Sequence, residues 1–320
     1  GKAQTVAFGI NPGYEVSDVR ANGEETSFTV SDYQEYNEAL LEVEIPAEQQ
    51  IELSLSYGGF PQEDVNMSTM QGGAEVSDEY LCLQTSALAP RVLNVLPAEN
   101  LYPATVEVTL PQGMTVIPFS SAQPELVAEH ENNTVTWRYQ DNGAGGILYA
   151  GDYVREEIKA TGLTVEFYYG RKHQPVMEQA GAVQAVQAVV DYCTEHYGAL
   201  SFGAGGSLKL IQSRTSGGGY AADGASLLDE QDLTAAHLGD SSKGAAAGEV
   251  MIHELVHQWW GLGNMLDTAE EDSPWSAEGL TVYTTYRIVK DLYGEEYDRE
   301  TYIHQRTKAV AAIYPTFTLR

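Results

Sequence analysis

His253-Glu254-Leu255-Val256-His257 is the stretch that decides how this chain is read. On a helix, residues four apart are separated by about 40° around the axis, so both imidazoles leave the same face. Two imidazoles so placed suit two ligands of one tetrahedral zinc ion. Glu254 lies beside the first histidine on the same turn. It is within reach of a water at the ion's open position, whose proton it can take.

The flanks predict a buried helix with defined ends. Asp240-Ser241-Ser242 offers N-cap oxygens, and Ala245, Ala246 and Ala247 are strong helix formers. Val250, Ile252, Leu255, Val256, Trp259 and Trp260 supply apolar surface nearly all round. Gly261-Leu262-Gly263-Asn264 ends the run, with glycine free to take a left-handed cap. Histidines buried there for packing alone would leave ring nitrogens unpaired, at about 1–3 kcal/mol each.

A third ligand is expected from a neighbouring helix. In Ser273-Pro274-Trp275-Ser276-Ala277-Glu278-Gly279-Leu280, Ser273 can cap and Pro274 suits the first helical position. The pattern continues through Val282, Tyr283, Tyr286, Ile288 and Val289 to Leu292, and Gly294 stops it. Glu278 sits in the first turns, where the helix dipole also favours a glutamate that binds nothing. Asp267, Glu270, Glu271 and Asp272 are nearby carboxylates, but they fall in a polar connector and read as a solvated loop.

His253-Glu254-Leu255-Val256-His257-Gln258-Trp259-Trp260-Gly261, followed by Trp275-Ser276-Ala277-Glu278-Gly279, resembles the M1 family of zinc aminopeptidases in the gluzincin group. The resemblance implies one zinc ion per chain, with His253, His257 and Glu278 as its ligands and Glu254 as general base. It implies a peptide substrate and a thermolysin-like catalytic domain behind an N-terminal saddle-like β-domain. Two departures stand out. The family usually places eighteen residues between the second histidine and the glutamate, and here twenty intervene, which reads as a loop insertion. The family's upstream Gly-x-Met-Glu-Asn, whose glutamate holds the substrate's free amine, is matched only by Gly218-Gly219-Tyr220-Ala221-Ala222. Ala221 stands in the glutamate's place. Asp223 and Glu230 are the nearby acidic candidates to replace it, and Ala225–Leu228 resembles the edge strand that lines the cleft. The family's oxyanion-stabilising tyrosine is expected beyond Arg320. Tyr283, Tyr286, Tyr293, Tyr297, Tyr302 and Tyr314 are present, but nothing in the sequence singles one out. With Gly1 in place of methionine, the expectation is an excised piece of a larger protein, lacking the C-terminal part of the active site.

Composition sets wider bounds. The 320 residues are 43% hydrophobic, enough for two cores. With 46 acidic against 17 basic side chains the net charge is −29, which argues against nucleic-acid or anionic-membrane partners. No stretch approaches the roughly 20 apolar residues of a membrane span. Cys82 and Cys193 read as buried small residues. Neither localisation nor oligomeric state follows from these features.

Along the chain the pattern is β first, then α/β. Short strands are expected at 5–10, 27–30, 39–45, 51–57, 105–110, 135–139 and 161–168, in a β-sandwich. Near Arg171 the period becomes helical through Val183, Val186, Val189, Val190, Cys193 and Tyr197, and a strand follows at Leu208–Gln212. The expected domains are a β-sandwich over 1–170 and a metallopeptidase domain over 171–320. The functional expectation is a zinc peptide hydrolase in which Glu254 deprotonates the attacking water and passes the proton to the leaving amine. The alternatives are a non-catalytic zinc domain that binds or senses peptides within a larger, membrane-associated protein, and a hydrolase of internal peptide bonds. Intact Glu254 argues against the first, because zinc binding alone does not need that carboxylate.

Overall fold

A computed structural model describes residues 4–33, 38–47, 50–63, 73–93, 103–141, 146–200, 207–214, 219–230, 244–262, 275–297 and 299. Internal contacts divide the chain into two units, Gly1–Asp152 and Tyr153–Arg320.

The first unit is built from pairs of antiparallel sheets. A four-stranded sheet runs in the order Phe28–Tyr33, Glu38–Ile45, Gln4–Ile10, Arg91–Val92. Its inward residues Val6, Phe8, Ile10, Leu41 and Val43 meet Val19, Leu53, Leu55 and Tyr57 from the sheet of Glu24–Glu25, Tyr14–Ala21 and Leu53–Gly59. A second pair follows. Strands Ala104–Pro111, Thr134–Asp141 and Glu125–Glu129 close on Thr115–Pro118, Ile147–Gly151, Tyr80–Gln84 and Ala74–Val76. Val116, Tyr139, Leu148 and Ala150 form the buried centre between them. Strands such as Tyr80–Gln84 hide one face, as period-two side-chain alternation requires, whereas Ile147–Gly151 is buried at every position. Cys82 is buried here, and Cys193 is buried in the second unit; both are free thiols.

The second unit is a five-stranded sheet in the order Tyr153–Ala160, Leu163–Gly170, Ser207–Ser213, Ala225–Asp229, Gly219–Ala222. The two central pairings are parallel and the two outer ones antiparallel. Strands before residue 171 therefore belong to this sheet, and the unit boundary lies at 152/153 rather than at 170/171. The change of period at Arg171 marks the first helix of the unit, not its start. Strand Leu163–Gly170 looks like its predecessors, yet its parallel partner comes some forty residues later.

Helices Ala182–Tyr197, Gly244–Val256 and Leu280–Tyr293 cover one face of this sheet. Val186, Val189, Val190 and Cys193 meet Phe167, Leu208 and Leu210, and Met251, Ile252, Leu255, Val256 and Trp259 close the same core. Burying those last five side chains is worth on the order of 10 kcal/mol. That exceeds the few kcal/mol it costs to hold one carboxylate in the same helix. The Trp259 indole donates to the Gly198 carbonyl at 2.8 Å, and Trp260 donates to Thr284 Oγ1 at 2.9 Å, tying the three helices together.

The edge of the sheet is Gly219–Ala222, whereas the sequence pointed to Ala225–Leu228. Ala225–Asp229 is buried at every position because it has a neighbour on each side. The partly exposed Gly219–Ala222 lies outside it. Among the described residues no helix is long and apolar enough to cross a membrane.

Candidate metal centre

His253, His257 and Glu278 converge. The Nε2 atoms of the two histidines are 3.0 Å apart. Glu278 Oε2 lies 3.3 Å from His253 Nε2, and Glu278 Oε1 lies 3.5 Å from His257 Nε2. Ligands of one tetrahedral zinc at about 2.0–2.1 Å stand roughly 3.4 Å from one another. The two imidazole nitrogens and the Glu278 carboxylate, with one oxygen turned to each histidine, therefore have spacings and a donor set that suit such an ion, and one ligand atom from each residue lies within 4.8 Å of the others.

Local structure explains the convergence. The assigned helix stops at Val256, but the His257 amide still donates to the His253 carbonyl at 3.1 Å, so the i, i+4 relation survives through the second histidine. Gly261 then turns the chain with φ +94°, the left-handed conformation expected of it. A Cβ on Gly261 would stand 3.0 Å from Ala277 Cβ, so glycine also lets the glutamate segment close on the histidine turn. That segment, Trp275–Gly279, is one π-helical turn rather than the expected α-helical start. Such wide turns recur at functional sites. The α-helix proper is Leu280–Tyr293, ended at Gly294 as expected. The capping residues Asp240–Ser242, Ser273 and Pro274, and the acidic connector Asp267–Asp272, lie outside the described residues.

Outer partners that the sequence did not reveal also surround the site. His257 Nδ1 lies 3.2 Å from the Trp260 carbonyl and 3.3 Å from Thr281 Oγ1. Contacts of this kind fix a ligand histidine's tautomer and leave Nε2 free for the metal. Thr281 is three residues beyond Glu278, a spacing that signals nothing by itself.

Glu254 is 6% exposed. In the metal-free site burial, with the Glu278 carboxylate adding, pushes its carboxyl up to about 8. A dication held by the triad would oppose both causes. Glycine at 219 makes room for it: a Cβ there would lie 2.6 Å from Glu254 Cδ. The cavity over the triad, about 400 Å3, is lined by Gly219, Tyr220, Ala221, His253, Glu254, His257, Gly261, Leu262, Ala277 and Glu278. Three of the four expected substrate-side residues thus reach it, and Gly218 lies outside the described residues.

Several other expectations are not met. Neither Asp223 nor Glu230 lines the cavity. Glu230 is held instead by Lys172 Nζ at 3.1 Å and His173 Nε2 at 3.2 Å. Tyr283, Tyr286 and Tyr293 also stay off the cavity wall, and Tyr220 is the tyrosine on it. Tyr302 and Tyr314 fall outside the described residues, as does the side chain of Tyr297. His196 stacks on Tyr192, and His130 bonds Thr136 Oγ1.

Comparison with known proteins points to one family. Residues 183–313 match the peptidase family M1 domain. The M1 zinc metallopeptidase of Deinococcus radiodurans has a similar structure, with TM-score 0.59 at 14% identity, over 100% of this chain and 69% of that one. Leukotriene A4 hydrolase of Saccharomyces cerevisiae has TM-score 0.53 at 16% identity, over 96% of this chain and 46% of the yeast protein. Leucine aminopeptidase 2 of Emericella nidulans is 43% identical over 49 residues, which is 15% of this chain and 8% of that protein. A mutant of the Deinococcus enzyme has been crystallised with a Tyr-Ser-Ala substrate. The fold is similar to that of these M1 zinc metallopeptidases, an N-terminal β-unit followed by an α/β unit.

Proposed function

We propose that this chain is the metal-binding part of a zinc-dependent peptide hydrolase of the M1 type, with His253, His257 and Glu278 as zinc ligands and Glu254 as general base. The observation that carries this reading is the 3.0–3.5 Å triangle of ligand atoms beside a buried carboxylate. When bound, zinc would polarise the scissile carbonyl and make a water acidic enough to lose its proton near neutral pH.

The chain's own residues supply the remaining steps. Glu254 accepts the proton of the attacking water on a carboxylate oxygen, then donates it to the departing amine nitrogen. Strand Gly219–Ala222 is the outermost strand on the Glu254 side of the sheet among the described residues, and an extended peptide can add alongside such a strand. Ala221 gives no charge to hold an ammonium terminus. Among the described residues, the only carboxylates on the cavity wall are Glu254 and Glu278. Peptides with blocked N-termini therefore belong beside free ones as candidate substrates.

The test uses the full-length protein. One zinc per chain should survive dialysis in the native protein and in Glu254→Gln, and His257→Ala should lose it. Free and N-acetylated peptides should be cleaved by the native protein alone. Failure to take up zinc removes the reading altogether, whereas full turnover by Glu254→Gln removes only the role of that carboxylate.

A further inference from the structure

Gln258 follows the second histidine and is completely buried. Its side chain leaves the metal helix and enters the turn of the hairpin formed by Gly219–Ala222 and Ala225–Asp229. Nε2 lies 2.9 Å from the Ala222 carbonyl and 3.3 Å from the Ala225 carbonyl. Oε1 accepts from the Gly224 amide at 3.2 Å. The carboxamide is oriented without ambiguity, because its neighbours on one side are carbonyls and its neighbour on the other is an N–H. The turn it grips has Gly224 at φ +76°, so the chain reverses there.

A second tie runs alongside. Ser226 Oγ donates to the Glu254 carbonyl at 2.8 Å, and Ser226 pairs in register with Ala221. At the far end of the edge strand, Gly219 presses on the Glu254 side chain, where a Cβ would lie 2.7 Å from Oε1. The strand that walls the cavity is therefore pinned to the metal helix at both ends: by the Gln258 carboxamide at its turn and by the Gly219 contact near its start.

We propose that Gln258 is a positioning residue that sets the height of the edge strand Gly219–Ala222 above the metal triad, so that a peptide paired with the strand brings its carbonyl over the three ligand atoms. The proposal rests on the reading of this site as a peptidase and adds a residue that does not touch metal or substrate. Gln258 accomplishes this with a carboxamide spent on the hairpin: Nε2 on the Ala222 and Ala225 carbonyls, with Ser226 Oγ at 3.4 Å, and Oε1 on the Gly224 amide. Losing them frees the turn without removing a ligand or the base.

The test compares two zinc-directed inhibitors on full-length zinc protein. Acetohydroxamic acid touches the metal and its immediate surroundings, whereas a tripeptide phosphinate must also pair with the edge strand. Gln258→Met keeps side-chain length and helix propensity but removes the carboxamide. It should bind the phosphinate at least ~10-fold more weakly, from two or more lost hydrogen bonds, and acetohydroxamate within about twofold of the native protein. Amide exchange at Gly224 should quicken while the Leu227 and Leu228 amides stay protected. Gln258→Asn, too short to span the gap, should reproduce the phosphinate loss if the methionine variant does not fold.

Unchanged phosphinate affinity in a folded variant overturns the proposal. So does an equal loss for both inhibitors together with lost zinc, because Gln258 would then only be holding the helix. The peptidase reading fails separately: a native protein that binds zinc and both inhibitors but cleaves no peptide refutes hydrolysis while leaving the inhibitor comparison intact.

Discussion

Two buried glutamates, one in each unit, share a steric arrangement and differ in charge environment. A Cβ on Gly9 would stand 2.6 Å from Glu38 Cδ, and a Cβ on Gly219 would stand 2.6 Å from Glu254 Cδ. Each carboxylate is thus packed against a bare backbone. Glu38, with its side chain fully buried, accepts from Arg91 Nη2 at 2.8 Å and Nε at 3.3 Å. Glu254 has no basic partner among the described residues, and the charge acting on it is the like charge of Glu278. Burial beside an opposite charge makes a structural tie. Burial beside a like charge holds a proton that a cation or a reaction can displace. The partner, not the burial, separates the two roles.

The strongest way to break this comparison is to neutralise both. Glu254→Gln should lower peptide turnover ~10²–10⁴-fold, the usual worth of a positioned acid–base group. Glu38→Gln should leave turnover per folded molecule within about twofold, since no step of the proposed chemistry draws on it. Steady-state kinetics on one peptide checks both, and equal losses would erase the distinction.

The glycines sharpen it next. Gly219→Ala should cost roughly 10²-fold in kcat, the penalty of misplacing a reacting group by about 1 Å. Among the described residues the edge strand is paired on one side only, so it can shift away from Glu254 at a smaller cost in stability than a strand held on both sides, and the loss should fall on positioning. Gly9 lies between two paired strands and cannot yield. Gly9→Ala should therefore cost about 1–3 kcal/mol in urea unfolding with turnover retained.

A smaller effect is expected from Glu38→Gln on stability, about 2 kcal/mol. Breaking a fully buried pair costs roughly 3–5 kcal/mol, but the Arg91 side chain is 27% exposed and can rehydrate. The urea midpoint of the first unit is the measurement. No shift would show that the pair contributes nothing.

The least effect is a slope with pH in chelated, metal-free protein. The Glu254 carboxyl is raised from 4.5 to about 8 in the folded chain. Between those values the native state keeps a proton that the unfolded chain has released. Stability therefore falls as pH rises through that window and levels off above it. Glu254→Gln lacks this slope, so the variant should become progressively more stable than the native protein from pH 5 to pH 8. Parallel curves would mean that the site relieves the burial in some other way.

Much of this was legible in local sequence. The histidine pair, Glu254, Glu278 and the Gly261 turn are encoded within short windows by spacing and backbone preference. Single strands such as Gln4–Ile10 and Ser207–Ser213 emerged from their apolar pattern. What stayed hidden depends on pairing. Strand Tyr153–Ala160 is not among the strands expected from the sequence, and its membership in the second sheet is fixed by a partner whose own parallel neighbour is far along the chain. The order of the 219–229 hairpin differs from the expectation, and Ala225-Ser226-Leu227-Leu228, with a serine inside it, does not by itself tell an inner strand from an edge strand. Thr281 carried no signal, and Gln258 stood in the matching stretch without any role attached to it, because a threonine or glutamine beside a helix gains its meaning only from the groups it meets.

The contact between Gly261 and Ala277 bears on how such a site can drift in evolution. Glu278 is registered against the histidines by a glycine that lets two backbones touch, and that register does not depend on how many residues join them. A register set by that contact does not call for a joining segment of any one length. Selection on the metal centre would therefore fall on one residue without a side chain, while the connector beside it accumulates insertions as neutral variation.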